Sequence, residues 1–383
     1  MDFDYSEEQT ILRDSLQRLL ADRYGFEERR RILASPEGFS AEMWGRYAEM
    51  GLMALPFAEA DGGLGGTPVE TMLVMEALGG ALALEPYFAT IVLGGGVLRF
   101  GGSAAQKAEL VPQVAAGELK LALAHTEPRS RWDLNHVETS ARKDGDGWVL
   151  SGRKSVVLGG DSADRLFVTA RTAGDARDTK GIGAFMVDGK ADGLTRRGYV
   201  NQDGNRAAEI ALDGVRVAAA DAIGDPAGGL PLVERVADAA IAALCAEAIG
   251  AMAAMHALTV DYLKVRKQFG VPIGSFQVLQ HKAVDMFVAL EQARSITLYA
   301  TMLADSDDAG ERARAASAAK AEVGRACRLV GENAIQLHGG VGMTMELAVG
   351  HYFKRATMID LMLGDHEHHL RRLAGLGGLM AAA

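Results

Sequence analysis

Residues 261–286 read DYLKVRKQFGVPIGSFQVLQHKAVDM, and the reading of the whole chain turns on them. Lys264, Arg266 and Lys267 crowd the end of one helix, where cations suit the negative pole of the helix dipole. Gly270, Pro272 and Gly274 then break the pattern. Phe276, Leu279, Met286 and Val288 resume helical spacing. A guanidinium is well shaped to grip phosphate, so a basic helix end beside a tight turn suits a diphosphate. The plainer reading is a solvated helix end, which is what most such clusters are.

The order of residues is more particular than that. R-K-Q-F-G from Arg266, followed by F-Q-x-L-Q-H-K from Phe276, resembles the acyl-CoA dehydrogenase family. Further matches spread the resemblance over nearly the whole chain. It implies that this segment holds FAD at a subunit interface.

Size and composition are consistent with that. A chain of 383 residues can bury a large core and suggests two or three domains. Hydrophobic content of 49% and charged content of 23% fit a soluble globular protein. The formal net charge of −10 argues against nucleic acid as a partner, since phosphate backbones need a basic surface. Cys245 and Cys327 are the only cysteines, which excludes a disulfide framework and suits a reducing compartment. The acidic start MDFDYSEEQ lacks the basic and apolar regions of a signal peptide. The apolar run 239–255 is alanine-rich and interrupted by Glu247, short of the ~20 residues that a membrane span takes. A cytoplasmic protein without a membrane span is expected.

Three regions follow one another. Residues 1–119 read as a helical domain, with a capping box at Ser6 and Gln9 and helices over 71–84 and 91–99. The loop Asp61-Gly62-Gly63-Leu64-Gly65-Gly66 lacks a P-loop lysine and follows a helix, so it is not a phosphate cradle. Residues 120–222 read as a β domain, a barrel or sandwich. Its strand candidates are 121–124, 138–141, 148–151, 167–171, 184–187 and 209–212, with hairpin-turn chemistry at Asp144-Gly145 and Asp146-Gly147. Residues 223–383 read as a C-terminal bundle: a long helix that Gly228-Gly229 and Pro231 start and that runs to about Lys267, then helices over 276–303, 311–338 and 348–373. A bundle that leaves an apolar face uncovered associates through it, so an oligomer is expected. The fold class is α+β multidomain, arranged as in acyl-CoA dehydrogenases.

Several motifs carry chemistry by resemblance. Thr126-Glu127-Pro128 is by itself an ordinary turn. In the family the matching segment lies against the flavin ring, with the threonine hydroxyl near the ring edge. Arg129-Ser130-Arg131-Trp132-Asp133 replaces the usual glycine and serine, and only Asp133 matches. Gly152-Arg153-Lys154-Ser155-Val156 resembles the family's G-x-K-x-W strand, with Val156 where an aromatic residue often covers the flavin. Gln336-Leu337-His338-Gly339-Gly340-Val341-Gly342 follows a helix and is no Rossmann fingerprint. Without the resemblance it is a glycine C-cap. With it, Gln336, Gly339 and Gly340 meet the adenosine diphosphate part of an FAD bound mainly to a neighbouring subunit. Arg266, Gln268 and Phe269 touch the diphosphate and adenosine side from the other subunit, and Thr126 flanks the ring.

Flavin-dependent dehydrogenation of an acyl-CoA thioester needs a carboxylate to take the α-proton while the β-hydrogen leaves as hydride to the flavin. The family places its glutamate at one of two positions. In this chain those positions hold Leu363 and Ala240, and neither is a base. Glu247 is the replacement: the only charged residue from 239 to 255, two helical turns after Ala240 and on nearly the same face. A buried carboxylate there is costly unless partnered. A structural ion pair with an arginine of a neighbouring helix is an equally weighted reading. Asp365 is the second candidate base. A family subset acting on bulky substrates, such as steroid side-chain thioesters, carries a glutamate in a similar A-E-x-x-G setting. Asp365-His366-Glu367-His368-His369 lacks zinc-site spacing, and no metal is expected. The resemblance also implies electron-transfer flavoprotein as the electron acceptor. Two alternatives stay open, a non-catalytic or half-site subunit of a heteromeric dehydrogenase and an oxygen-using relative of the flavin monooxygenases.

Overall fold

The computed structural model describes residues 4–379. Helix α1 (Glu7–Arg23) opens on the reciprocal Ser6–Gln9 capping box. Helices α2 (Phe26–Leu33) and α3 (Ala41–Glu49) follow, the second capped by Ser40. Helix α4 (Pro68–Ala81) begins on a proline, whose missing N–H the first turn leaves unpaired in any case. A π-helical stretch, Phe88–Gly94, runs into α5 (Gly95–Gly101) and then α6 (Ala104–Ala115). An ordinary helix was expected over 91–99. Bare backbone explains the departure: a Cβ on Gly94 would lie 2.4 Å from that of Leu121, so this segment packs directly on a strand.

The middle of the chain forms one sheet. Its strands are β1 (Leu121–Ala124), β2 (Ser140–Asp144), β3 (Gly147–Leu158), β4 (Arg165–Arg171), β5 (Ile182–Asp188), β6 (Leu194–Val200), β7 (Arg206–Val217) and β8 (Ala222–Ile223). Their order is β6-β7-β3-β2-β4-β5-β8, and β1 pairs parallel to β4. Each strand expected from sequence overlaps one of these, the one expected over 138–141 beginning only at Ser140. Strand β6 was not expected, because LTRRGYV is polar and mostly exposed and shows no apolar alternation. Strand β3 slips register against β7 between Lys154 and Val157, and Val156 there takes a φ of 51°.

Among the described residues five α-helices follow the sheet: α7 (Leu230–Val265), α8 (Gln277–Leu303), α9 (Ala309–His338), α10 (Ala348–Leu361) and α11 (His366–Gly375). A hairpin of β9 (Lys267–Gln268) and β10 (Val271–Pro272) links the first two. Helix α7 is long and apolar enough by length and composition to cross a membrane, but 89% of its most apolar window is buried in the protein, as in a core helix. The single helix expected over 348–373 is two. Leu363 and Gly364 take φ of 56° and 111° between them. Fully buried Lys320 holds this break by donating to the carbonyls of Asp360 (2.7 Å) and Gly364 (2.5 Å), and His369 Nε2 meets that of Leu363 (2.9 Å).

By packing, the chain divides into two compact units, residues 1–31, 68–83 and 241–383, and residues 32–67 and 84–240. In the first, α9 packs against α8, α10 and α11. Helices α4 and α7 cross backbone on backbone: a Cβ on Gly79 would lie 2.0 Å from the Glu247 carbonyl, and one on Gly250 1.9 Å from that of Glu76. Only glycine allows that crossing. In the second unit, Leu150, Leu166, Val168, Phe185 and Ile210 centre the core of the sheet.

Candidate functional site

Glu247 sits on α7 at the α4 crossing and is buried. Its carboxylate is held by Arg355 of α10 through two parallel bonds, Nε to Oε1 at 2.6 Å and Nη2 to Oε2 at 2.7 Å. This fork matches guanidinium to carboxylate and compensates the buried charge. Arg355 Nη1 also lies 3.7 Å from Met362 Sδ, beside Leu363. One arginine thus touches both Glu247 and the segment holding a position from which the family supplies its base. Each carboxylate oxygen keeps a second lone pair after pairing. Sequence reasoning named a partner arginine for Glu247 without finding Arg355, which lies 108 residues away. Asp365 caps α11, accepting from the His368 N–H at 2.7 Å.

The basic helix end is open. Arg266, Lys267, Gln268 and Phe269 are all exposed on the β9–β10 hairpin, Phe269 by 93%. Phe269 has a φ of 54° and meets Phe276 edge-on, with centroids 6.2 Å apart. The glycine turn is equally open. Gly339 caps α9 with a φ of 64°, and a Cβ on Gly339 or Gly340 would meet nothing within 4 Å. Exposed Gln336 lines a groove of about 560 Å³ with Lys282, Arg325 and Arg328. Tyr262, one turn before Arg266, stacks on His338 at 4.5 Å between centroids. A single chain therefore carries both segments at one end of its helical bundle.

In the other unit, Thr126 follows β1 and is half-buried. Beneath it lies a buried ionic cluster that sequence reasoning missed, although it quoted both residues. Lys154 Nζ donates to Glu127 Oε1 (2.7 Å), the His125 carbonyl (3.2 Å) and Thr169 Oγ1 (3.1 Å). Burial pushes the Lys154 ammonium down to about 8, against the pull of Glu127. Burial also holds His125 down to about 3, so it is neutral. For Glu127 burial acts upward, but the Lys154 charge and bonds from Lys154 and Thr139 outweigh it and hold the carboxyl below its ordinary value. Ser130 is buried as well: its Oγ accepts from the Glu127 N–H and donates to the Glu127 carbonyl, both at 3.0 Å. Val156 is 46% exposed, and its N–H donates to Glu209 Oε1. Among the described residues no group of three or more His, Cys, Asp or Glu gathers as a metal site.

Models of the acyl-CoA dehydrogenase N-terminal, middle and C-terminal domains match residues 6–118, 122–215 and 228–375. The probable acyl-CoA dehydrogenase YngJ of Bacillus subtilis (strain 168) is 33% identical, over 86% of this chain and 87% of that protein. The chain belongs to the acyl-CoA dehydrogenase family. Among solved structures, a variant of the Tcur3481–Tcur3483 steroid ACAD is 29% identical with a TM-score of 0.87 and covers 97% of each chain. The FAD complex of PigA is 25% identical with a TM-score of 0.89, covering 99% of this chain and 100% of that one. The protein is accordingly an oxidoreductase of the acyl-CoA dehydrogenase class, with helical N- and C-terminal regions flanking a central sheet.

Proposed function

We propose that the protein carries out FAD-dependent α,β-dehydrogenation of an acyl-CoA thioester, with Glu247 taking the α-proton. The observation that carries this is the Glu247–Arg355 pair, a buried carboxylate whose partner arginine also reaches Met362, next to Leu363. The residues present fit FAD. An exposed arginine and glutamine at a helix end suit its diphosphate, and two glycines with open space above them let a ligand approach the backbone. Arg266, Gln268 and Phe269 would hold the diphosphate and adenosine side from one subunit, and Gln336, Gly339 and Gly340 from another. Thr126 would flank the ring. When bound, FAD supplies the acceptor for the β-hydrogen.

As base, Glu247 would use a lone pair that the Arg355 fork leaves over to take the substrate α-proton. The steroid ACAD neighbour supports a bulky acyl group. Electron-transfer flavoprotein as acceptor, cytoplasmic location and an oligomeric assembly belong to the same proposal. A second reading, in which this chain completes its site only with a sister chain, is favoured by the paired name of that neighbour.

An anaerobic absorbance screen tests the proposal. The purified assembly is mixed with short-chain, long-chain and steroid side-chain acyl-CoA thioesters. At least one should bleach the visible flavin band. Protein that stays colourless until a sister chain is added supports the second reading, and turnover that demands oxygen refutes the dehydrogenase.

A further inference from the structure

We propose that the buried Lys154–Glu127 pair is a positioning device that holds Thr126 against the cofactor, an inference that rests on the FAD reading above. The pair grips Thr126 from both sides. On one flank the Lys154 ammonium binds the carbonyl of His125 at 3.2 Å. On the other it binds the Glu127 carboxylate at 2.7 Å. Its third proton goes to Thr169 Oγ1 on β4, so the ammonium is satisfied by three acceptors.

Glu127 is anchored in turn. Its carboxylate accepts the N–H groups of Glu138 (2.6 Å) and Thr139 (2.9 Å), and Ser130 closes a turn on its backbone. The Ser155 N–H, next to Lys154, donates to the Thr126 carbonyl at 2.8 Å. The backbone is therefore tied down at His125, at the Thr126 carbonyl and at Glu127. Among the described residues the Thr126 hydroxyl itself has no hydrogen-bond partner. A side chain whose surroundings are immobilised while its own hydroxyl is left open is placed to meet a ligand.

Stability alone does not explain this arrangement. Lys154 is 0% and Glu127 3% exposed, and both ions lose their hydration. Apolar residues of similar volume commonly hold a core as well as a buried ion pair does. What apolar residues cannot do is bind two successive backbone segments at defined points. The pair ties β1, β3 and β4 together at the place where β1 ends and where β3 bulges at Val156.

The test compares wild-type protein in its native assembly with two variants. The first, Lys154→Met with Glu127→Gln, removes both charges together. The second, Thr169→Val, removes one arm only. Tm reports the fold, and flavin titration, the visible spectrum and the midpoint potential report the site. The double variant is expected to bind FAD about tenfold more weakly, the effect of losing one placed hydrogen bond, with a displaced visible band. Thr169→Val is expected to loosen FAD by roughly threefold and carries the test if the double variant does not fold. Folded variants with wild-type FAD affinity, spectrum and potential overturn the positioning role alone. Wild-type protein that takes up no FAD overturns the functional reading and this one with it.

Discussion

Replacing Glu247 separates its proposed role as base from its place in the ion pair with Arg355. In Glu247→Gln the shape stays, but an amide N–H₂ or a lone carbonyl oxygen now faces the Arg355 fork that met two carboxylate oxygens at 2.6 and 2.7 Å. The side chains are only 9% and 7% exposed, so water does not rescue the guanidinium. Breaking one side of a buried pair costs about 3–5 kcal/mol. Against a total stability of about 5–15 kcal/mol, the variant is weakened but folded. Loss of a general base costs a further ~10²–10⁴-fold in the proton-transfer step. The double variant Glu247→Leu with Arg355→Leu divides the effects. With both charges gone, stability should return to near wild type. Bleaching by acyl-CoA should not return, because no carboxylate remains. The assays are urea unfolding and anaerobic stopped-flow at the flavin band. A double variant that bleaches at the wild-type rate would show that the pair is structural only, and the assignment of Glu247 would fail.

Two further outcomes follow from the same contacts. In Gly250→Ala the new methyl would lie 1.9 Å from the Glu76 carbonyl and 2.7 Å from the Gly80 N–H, backbone against backbone. Helix α4 must move off α7, which should cost about 1–3 kcal/mol in urea unfolding; an unchanged midpoint would mean the helices do not cross there. The second concerns acid. Glu127 has its folded-state pKa held below the ordinary 4.5, so it contributes stability that is present above that value and lost as pH falls through the lower folded value. Glu127→Gln should flatten the unfolding midpoint over that acid window, and identical acid profiles for the two proteins would contradict the pair.

The local signals in the sequence were reliable where the physics is local. The Ser6 capping box, strand 121–124 and the glycine stop after His338 depend on neighbours within a few residues, and each is present as read. The R-K-Q-F-G and Q-L-H-G-G segments stood out in the sequence because glycine turns and cationic helix ends have a chemistry of their own. Where a local signal was absent, the reading failed. Strand β6 exposes Arg197 and its neighbours and shows no period-two pattern, since its stability comes from pairing with β7. The break at Leu363-Gly364 has no proline to announce it, and Lys320 enforces it through the Gly364 carbonyl, 44 residues away.

Sequence by itself determined the order of helical and sheet regions, the family, and the presence of one carboxylate on an apolar helix. Tertiary structure alone decided what that carboxylate meets, and that Tyr262 on His338 brings the basic hairpin and the glycine turn to one end of a chain. It also decided that Lys154 and Glu127 are a buried pair rather than an exposed strand residue and a turn residue. The physical reason is distance along the chain. Periodicity and capping are written within a turn or two of helix, whereas ion pairs, ring stacks and backbone crossings join residues tens to hundreds of positions apart and exist only once the core has closed.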